Sequence, residues 1–186
     1  MTTPTNLPGS ALVTPQGGAR CYWMTGLSGA GKTTLARAFR DAHHAHGQLR
    51  VVVLDGDEVR AGLCSDLGFS AADRLENARR LAAVARLLVD AGLTVVVSAI
   101  SPTHKARALA RSAFVPGTFV EVHVATPLAT CMARDVKGLY RQAAQGQLLQ
   151  MTGVDAPYEV PATPDVRLNG EGELAQVLAG WLAQMA

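Results

Sequence analysis

Short apolar runs alternate with longer amphipathic stretches along most of this chain. Short runs bounded by Gly, Pro or Asp are typical of strands that a protein buries. The longest run, 93–100, is almost continuous, as expected when helices cover both faces of a sheet. Such runs occupy residues 21–24, 50–54, 93–100, 119–124 and, more weakly, 166–168. The pattern therefore predicts five strands.

The stretches between these runs show the apolar periodicity of helices. Helices are predicted from Lys32 to about His46, from Ser70 to Gly92, and from about Glu173 to the end of the chain. Ser70 stands three residues before Asp73 in an N-capping pattern, and Gly92 is a typical residue just beyond a helix. Strands separated by helices predict an α/β fold with a parallel sheet, whose ligands bind at the carboxyl ends of the strands.

In two places a Ser or Thr followed by Pro comes after a predicted strand, at Ser101-Pro102 and at Thr126-Pro127. A Ser or Thr at the N-cap, followed by Pro at the first helical position, is a common start of a helix. We therefore predict that Ser101 and Thr126 cap the helices that follow.

Composition narrows the class of protein. A chain of 186 residues that is 48% hydrophobic suits one domain with a sizeable core. A charged fraction of 17% and a net charge of +2 exclude a disordered chain and argue against a nucleic-acid-binding protein. Residues 1–19 are rich in Thr, Pro, Gly and Ser without periodicity. We predict a flexible tail over 1–19 and a single domain over 20–186.

Membrane and secretory features are not expected. The longest apolar run is far shorter than the roughly 20 residues that cross a bilayer, and the N-terminal residues lack the charged and apolar regions of a signal peptide. Cys21, Cys64 and Cys131 are widely spaced without a C-x-x-C pair, which argues against disulfides or a zinc site. We expect a cytoplasmic protein that interacts with neither nucleic acid nor membrane.

Residues 26–33, Gly-Leu-Ser-Gly-Ala-Gly-Lys-Thr, match the phosphate-binding pattern G-x-x-x-x-G-K-[ST] between a predicted strand and helix. Backbone N–H groups of such a loop surround a phosphate, and the helix N-terminus favours its charge. Lys32 is expected to reach the β- and γ-phosphates, and Thr33 to bind Mg²⁺. The predicted ATP-binding residues are Gly26, Ser28, Gly29, Ala30, Gly31, Lys32, Thr33 and Thr34.

Two carboxylates, Asp55 and Asp57, follow the second strand, with Arg60 one turn later. Carboxylates beside a triphosphate are expected to bind Mg²⁺ or to orient an acceptor hydroxyl, and Arg60 could hold an anionic group on the acceptor. The alternative is a solvated acidic turn with a surface arginine.

The predicted long helix opens with many charged residues. Charges on an outer helix face usually face solvent, so Glu76, Arg79 and Arg80 are as consistent with a surface as with a site. Phe69, just before this helix, is either a core residue or a stacking platform.

Residues 135–151 contain Lys137, Arg141 and several glutamines but few large apolar residues. Such a segment contributes poorly to a core and is typical of a mobile lid over a site. Lys137 and Arg134 could add positive charge around a transferring phosphoryl group. The alternative is a solvated surface helix.

Five stretches of the chain, in order between about residues 20 and 168, resemble the adenylylsulfate (APS) kinase family. They read GLSGAGKTTLA, LDGDEVRAGLCSDLGFSAADRLENARR, ISP, KGLYRQA and TGVDAPYEVP. The resemblance implies a three-layer P-loop kinase fold with helices on both faces of a parallel sheet and a mobile lid. It also implies ATP-dependent phosphorylation of the ribose 3′-hydroxyl of APS to give PAPS, by a homodimer whose APS comes from an ATP sulfurylase.

The resemblance also assigns roles to residues. Asp57 corresponds to the carboxylate near Mg²⁺ and the 3′-hydroxyl, and Asp55 supports it. Ser101 stands where some family members are described as phosphorylated, although an N-cap explains it equally well. The implied catalytic residues are Lys32, Asp57, Ser101 and Lys137, and the implied metal ligands, partly through water, are Thr33, Asp55 and Asp57. The implied acceptor-binding residues are Asp57, Arg60 and Arg74 (phosphosulfate), Phe69 (adenine), Asn77, Ile100, Ser101, Lys137, Leu139 and Met151.

Several positions depart from the family pattern. Met151 replaces the second adenine-stacking Phe, Glu58 replaces an Asn, and Ala99 replaces a Phe. Cys64 and the pair Thr103-His104 are also unusual. These changes leave two alternatives open: a related kinase that phosphorylates another anionic small molecule, and a nucleotide-binding module without turnover.

Overall fold

The computed structural model describes residues 18–47 and 50–184, so most of the predicted tail, 1–17, lies outside the described residues. The strands are β1 (Cys21–Thr25), β2 (Val51–Asp55), β3 (Thr94–Ser98), β4 (Phe119–Val124) and β5 (Val166–Leu168). The helices are α1 (Lys32–Ala45), α2 (Gly56–Ala61), α3 (Ala71–Asp90), α4 (His104–Ser112), α5 (Leu128–Arg134), α6 (Leu139–Ala144) and α7 (Leu174–Ala183). All five predicted strands and the three predicted long helices are present.

The five strands form one parallel sheet in the order β2-β3-β1-β4-β5. The central strand β1 pairs with β3 on one side and β4 on the other. The loop that follows β1 therefore leaves the middle of the carboxyl edge, with the ends of β2 and β3 on one side and those of β4 and β5 on the other.

Alternate residues of β1 face two separate apolar clusters. Tyr22 and Met24 belong to a cluster with α1 and α7, in which the rings of Phe39 and Trp181 stack at 4.4 Å. Trp23 belongs to the other cluster, with α3 and α4. Side chains that alternate across a strand point to opposite faces of a sheet. The predicted three-layer arrangement, with helices on both faces of a parallel sheet, is confirmed.

Helix starts test the capping predictions. The Ser70 Oγ accepts a hydrogen bond from Asp73 N at 3.1 Å, so Ser70 caps α3 as predicted. The prediction for Ser101 is wrong, because the N-cap of α4 is Thr103, whose Oγ1 accepts from Ala106 N at 3.2 Å. The prediction for Thr126 is also wrong, since α5 begins one residue later and the Thr126 Oγ1 donates to Ala30 O at 2.8 Å.

Helix α3 is the longest described helix, yet it is too polar to span a membrane. Over residues 18–47 and 50–184, no helix combines the length and hydropathy that crossing a bilayer would require.

Candidate active site

A cavity of about 630 Å³ lies at the carboxyl edge of the sheet. It brings together residues that are far apart in the sequence, from the loop after β1 to the turn before α7. Every predicted ATP- or acceptor-binding residue lines it except Gly26. Asp55 is not part of the wall but lies directly behind it, bonded to Thr33. The predicted residues therefore form one continuous site.

The phosphate loop needs glycine where it approaches other backbone. Gly26 has a φ of 150°, and a Cβ there would lie 2.7 Å from the carbonyl oxygen of Val124. Gly31, at the N-cap of α1, has a φ of 100°, which a residue with a Cβ adopts only under strain. These positions fix the loop so that α1 begins at Lys32, as the motif predicts.

Lys32 is buried beneath this loop. Its Nζ donates to the carbonyl oxygens of Gly26 at 2.9 Å and of Leu27 at 2.7 Å. Burial, with a smaller contribution from the charge of Lys137, lowers the pKa of Lys32 to about 8. The ammonium group is thus held inside the loop by neutral carbonyl oxygens.

A chain of three oxygen-bearing side chains runs behind the loop. The Thr33 Oγ1 donates to Asp55 Oδ2 at 2.7 Å, and the Ser98 Oγ lies 3.0 Å from the same Thr33 oxygen. Because the Thr33 proton is used toward Asp55, Ser98 is the donor in the second bond. Burial acts to raise the pKa of Asp55, but the bonds from Thr33 and from the backbone of α2 outweigh it and lower that pKa.

These oxygen atoms suit Mg²⁺, a hard cation that prefers hydroxyl, carboxylate and phosphate oxygens. Sequence reasoning identified Thr33 and Asp55 but missed Ser98. A single serine at the end of a strand carries no motif, and only the pairing of β2 with β3 shows that Ser98 lies beside Asp55.

Asp57 is exposed on α2 and forms an ion pair with Lys137 from the segment before α6. This pair connects the predicted lid to the end of β2. The neighbouring Glu58 points away from the cavity, is 71% exposed and lies 3.4 Å from Arg37. Its additional negative charge therefore does not enter the site.

Phe69 is not a core residue, because it is 52% exposed and lines the cavity. The Arg60 guanidinium lies 4.5 Å from the centre of its ring and donates to Gly68 O at 2.9 Å. Arg74 donates from Nε to Phe69 O at 2.8 Å, from Nη1 to Thr152 Oγ1 at 2.8 Å and from Nη2 to Gln150 O at 2.6 Å. Two guanidinium groups and one ring thus share this end of the cavity.

The remaining charges of α3 belong to the surface. Glu76 pairs with Arg79 at 2.7 Å and with Arg80 at 2.9 Å, and Arg80 pairs with Asp66 at 2.6 Å. Among the α3 residues that line the cavity, Asn77 stands out, because its Oδ1 is buried and has no hydrogen-bond partner within the described part of the chain. A buried acceptor without a partner is costly, and a ligand in the cavity could supply its donor.

Ser101 is buried in the cavity wall next to Ile100. Its Oγ accepts a hydrogen bond from Trp23 Nε1 at 2.9 Å. Its φ of 43° places a residue with a Cβ in the left-handed region. The backbone turn, rather than a helix cap, is what this residue forms.

The predicted lid, 135–151, is better packed than its composition suggested. Tyr140 and Met151 are buried in the cluster that contains α1, and the Tyr140 hydroxyl donates to Ser28 O at 3.0 Å. The expectation of a poor core segment is therefore wrong for these two residues. By contrast, Val136 and Leu149 are 80% and 73% exposed although both line the cavity. Mobility of this segment stays a prediction.

Of the residues at the opposite end of the cavity, the sequence indicated only Arg134. Arg134 donates to Gly170 O at 2.9 Å, and Leu174 and Val177 of α7 add apolar surface. A Cβ on Gly170 would clash with Thr126 Oγ1. The turn after β5 contains no recognisable motif, so only the fold brings it next to the phosphate loop.

Comparisons with known proteins agree on one family. The family model described as adenylylsulphate kinase matches residues 18–169. A curated adenylyl-sulfate kinase of Citrobacter koseri is 53% identical over 157 residues, which cover 84% of this chain and 78% of that protein.

Solved structures give the same result. The Mycobacterium tuberculosis APS kinase CysC, in complex with AMPPNP and APS, has a TM-score of 0.85 and 42% identity, over 90% of this chain and 97% of the other. A hexameric APS kinase from Thiobacillus denitrificans has a TM-score of 0.66 and 29% identity, over 90% of this chain and 28% of the other. With a family model covering most of its length and a curated relative at 53% identity, the chain belongs to the adenylylsulphate kinase family.

Proposed function

We infer that this chain is an adenylyl-sulfate kinase, which transfers the γ-phosphoryl group of ATP to the 3′-hydroxyl of adenosine 5′-phosphosulfate. One observation carries the inference beyond family membership. A single cavity joins a phosphate loop to an exposed ring, Phe69, flanked by the guanidinium groups of Arg60 and Arg74. Such a set suits an acceptor that has an aromatic base and an anionic end.

The strand order divides the cavity into two sides. The turn after β5, with Arg134, Leu174 and Val177, lies on the nucleotide side, where apolar surface suits the adenine of ATP. The ends of β2 and β3 and the start of α3 form the acceptor side. The phosphate loop, at the end of the central β1, lies between them.

Binding of ATP would give Lys32 a better partner than its present one. Its ammonium exchanges the carbonyl oxygens of Gly26 and Leu27 for phosphate oxygens, which carry full charge. Thr33 and Asp55, with Asp57, would hold the Mg²⁺ that accompanies ATP and neutralises its phosphate charge.

On the acceptor side, Phe69 would stack on the adenine of APS while Arg60 and Arg74 bind its phosphosulfate. Asn77 Oδ1 would accept a hydrogen bond from the substrate. Met151 is buried beside the cavity and its thioether would pack on the other face of the base.

Transfer is a direct in-line displacement in this site. The bond between the γ-phosphorus and the β,γ-bridging oxygen breaks, a bond from the 3′-oxygen to that phosphorus forms, and ADP leaves. Asp57 orients the 3′-hydroxyl and accepts its proton. Lys137, released from Asp57, contributes positive charge to the phosphoryl group in transit.

We further propose that the enzyme is a cytoplasmic homodimer and that an ATP sulfurylase supplies its APS. The three cysteines, Cys21, Cys64 and Cys131, are buried and free, which suits a reducing compartment. Light scattering of the purified protein gives the oligomeric state directly.

The test is ADP release by the purified protein with Mg·ATP, with and without APS, and with PAPS identified by mass. APS-dependent ADP and an equal amount of PAPS are expected. ADP release with another phosphorylated or sulfated alcohol, but not with APS, would assign a different acceptor, and ATP binding without turnover on any acceptor would indicate a non-catalytic module.

Lys32→Ala supplies the matched variant for this assay. We expect it to lower kcat/KM by about a thousandfold or more, the scale of losing a preorganised charge at a phosphoryl group. Lys105→Ala is the control, because Lys105 is exposed on α4 away from the cavity. Retained turnover in Lys32→Ala would place the chemistry elsewhere.

A further inference from the structure

The acceptor side of the cavity has a wall made by the turn at residues 100–102, which follows β3. The turn is conformationally unfavourable, because Ser101 has a φ of 43°. Ser101 lines the cavity, and its Oγ accepts a hydrogen bond from Trp23 Nε1. A turn of this kind keeps its shape only if other groups hold it.

Arg107, on α4, holds the turn from behind. It is only 2% exposed, and its Nη1 donates to Ser101 O at 2.9 Å. Its Nε forms an ion pair with Glu121 Oε1 of β4 at 3.0 Å. The buried charge is therefore paired. Nη1 and Nη2 bond to backbone carbonyls, and Nη2 also lies 2.9 Å from His104 Nδ1 of the same helix.

The same guanidinium also anchors the segment 150–159, here called the strap. Nη2 of Arg107 donates to Glu159 O at 2.8 Å, and Glu159 N donates to Pro102 O at 2.8 Å. At its other end the strap is bound by Arg74, through Gln150 O and Thr152 Oγ1. One end of the strap thus meets an acceptor-binding arginine, and the other meets Arg107 and the turn.

We propose that Arg107 is a positioning residue for the acceptor. It acts through the turn and the strap: it fixes Ser101 in the cavity wall and, along the strap, sets where Thr152 and Gln150 hold Arg74. It lies behind the wall and does not itself line the cavity. The proposal rests on the proposed function, because the acceptor is taken to be APS.

Arg107→Lys tests the idea and keeps a positive charge opposite Glu121. One ammonium cannot reach Glu121, Ser101 O and Glu159 O together in the geometry of the guanidinium. We expect the KM for APS to rise at least about tenfold, the effect of losing charge-assisted hydrogen bonds. The KM for ATP should stay within about twofold, since sites without shared partners behave independently.

Arg111→Lys is the matched control. Arg111 lies one turn along the same helix and faces the same carboxylate, with its Nη2 3.6 Å from Glu121 Oε2, but it bonds to neither the turn nor the strap. Both KM values should be unchanged in this variant. If Arg107→Lys does not fold, the double variant Arg107→Gln with Glu121→Gln removes the buried charge pair as a unit and should give the same selective rise.

A spectroscopic measurement separates repositioning from general loosening. The chain has two tryptophans: the Trp23 indole N–H bonds to Ser101, whereas Trp181 packs on the other face of the sheet. In a ¹H–¹⁵N spectrum, Arg107→Lys should shift the Trp23 indole signal and leave that of Trp181 in place.

The outcomes are distinct. A selective rise in the KM for APS together with a shifted Trp23 signal supports the proposal. An unchanged KM for APS, equal changes in both KM values, or an unmoved Trp23 signal overturns it. Wild-type protein that makes no PAPS would instead remove the proposed function, and this proposal with it.

Discussion

At the scale of single residues, the main cations of the site already have partners within the protein. Lys32 bonds to loop carbonyls, Lys137 pairs with Asp57, and Arg74 binds the strap. Substrate affinity is then the difference between two sets of bonds, because each ligand contact replaces an internal one. Lys32 and Arg74 gain more from the exchange than Lys137, since their present acceptors are neutral.

The pKa of Lys32 predicts how nucleotide affinity depends on pH. That pKa is about 8 in the free protein, and phosphate oxygens favour the protonated amine, so ATP analogues should bind well below pH 8. Above it, the Kd for AMPPNP should rise by up to about tenfold per pH unit as the neutral amine becomes the main form. Calorimetry between pH 6.5 and about 9.5 measures this.

Lys32→Arg is the control for this titration, because a guanidinium stays charged over the whole range. Its Kd should be nearly independent of pH above 8. A wild-type Kd that is equally flat would mean that Lys32 keeps an ordinary pKa.

Sequence reasoning worked at this scale where a pattern specifies backbone as well as side chain. The phosphate loop fixes Lys32 and Thr33 at once, since spacing and glycines define the turn. It did not find Ser98 or Gly170, whose positions depend on strand pairing and on a distant turn. The direction of Glu58 also needed the structure, because its partner Arg37 lies on another helix.

At the scale of elements, the start of α3 positions the acceptor side. Ser70 caps this helix, and Arg74 and Asn77 follow within its first two turns. Ser70→Ala should lower the free energy of unfolding by about 1 kcal/mol, the usual effect of losing an N-cap. Urea denaturation measures the loss.

The control for this variant is Ser112→Ala. It removes a hydroxyl that donates to Leu109 O in the last turn of α4. It should cost less than about 0.5 kcal/mol, as exposed substitutions usually do. Equal losses in the two variants would contradict a capping role for Ser70.

The turn after β5 tolerates no side chain at Gly170. In Gly170→Ala the new Cβ meets Thr126 Oγ1 and, at 2.7 Å, the Ala30 carbonyl oxygen of the phosphate loop. We expect unfolding to become easier by about 1–3 kcal/mol and the KM for ATP to rise, as measured by thermal unfolding and steady-state kinetics.

Gly180→Ala is the control for Gly170→Ala and should change the stability in the opposite direction. Gly180 lies in α7, where an added Cβ would have no described neighbour within 4 Å beyond the helix's own backbone. Alanine should therefore stabilise the protein by about 0.5–1 kcal/mol through helix propensity. If both variants shifted stability in the same direction, the close approach at Gly170 would be unimportant.

Strands and long helices could be predicted because apolar periodicity extends over many residues. The starts of helices could not always be predicted, because the same capping pattern fits several neighbouring positions. Ser101 and Thr103 both offer a hydroxyl before α4, and the left-handed turn at Ser101, held by Arg107, leaves Thr103 as the cap.

At the scale of the whole molecule, the segment 135–151 connects both sides of the site. Lys137 reaches Asp57 on the acceptor side, while Tyr140 bonds to the phosphate loop. Filling both sides should therefore hold this segment in place, and AMPPNP with APS should slow tryptic cleavage after the exposed Arg141 by at least about threefold.

Cleavage after Lys105, which is exposed but outside the cavity, is the internal reference and should not change. Each ligand alone should protect Arg141 less than the pair. Cleavage after Arg141 that ignores both ligands would rule out a lid that responds to substrate.

The order β2-β3-β1-β4-β5 has a consequence for how this scaffold can diversify. In the proposed reaction the acceptor is bound by residues after β2 and β3, and ATP by the loop after β1 and the turn after β5. Mutations after β2 and β3 that spare Asp55, Asp57 and Ser98 should therefore leave ATP binding unchanged. The departures at Glu58, Cys64, Ala99 and Thr103 fall after β2 and β3 and Met151 lies in the strap, whereas the phosphate loop keeps its full pattern. Under selection, the acceptor alcohol can therefore change while the ATP-binding half of the site is kept. Protein engineering could change the acceptor in the same way.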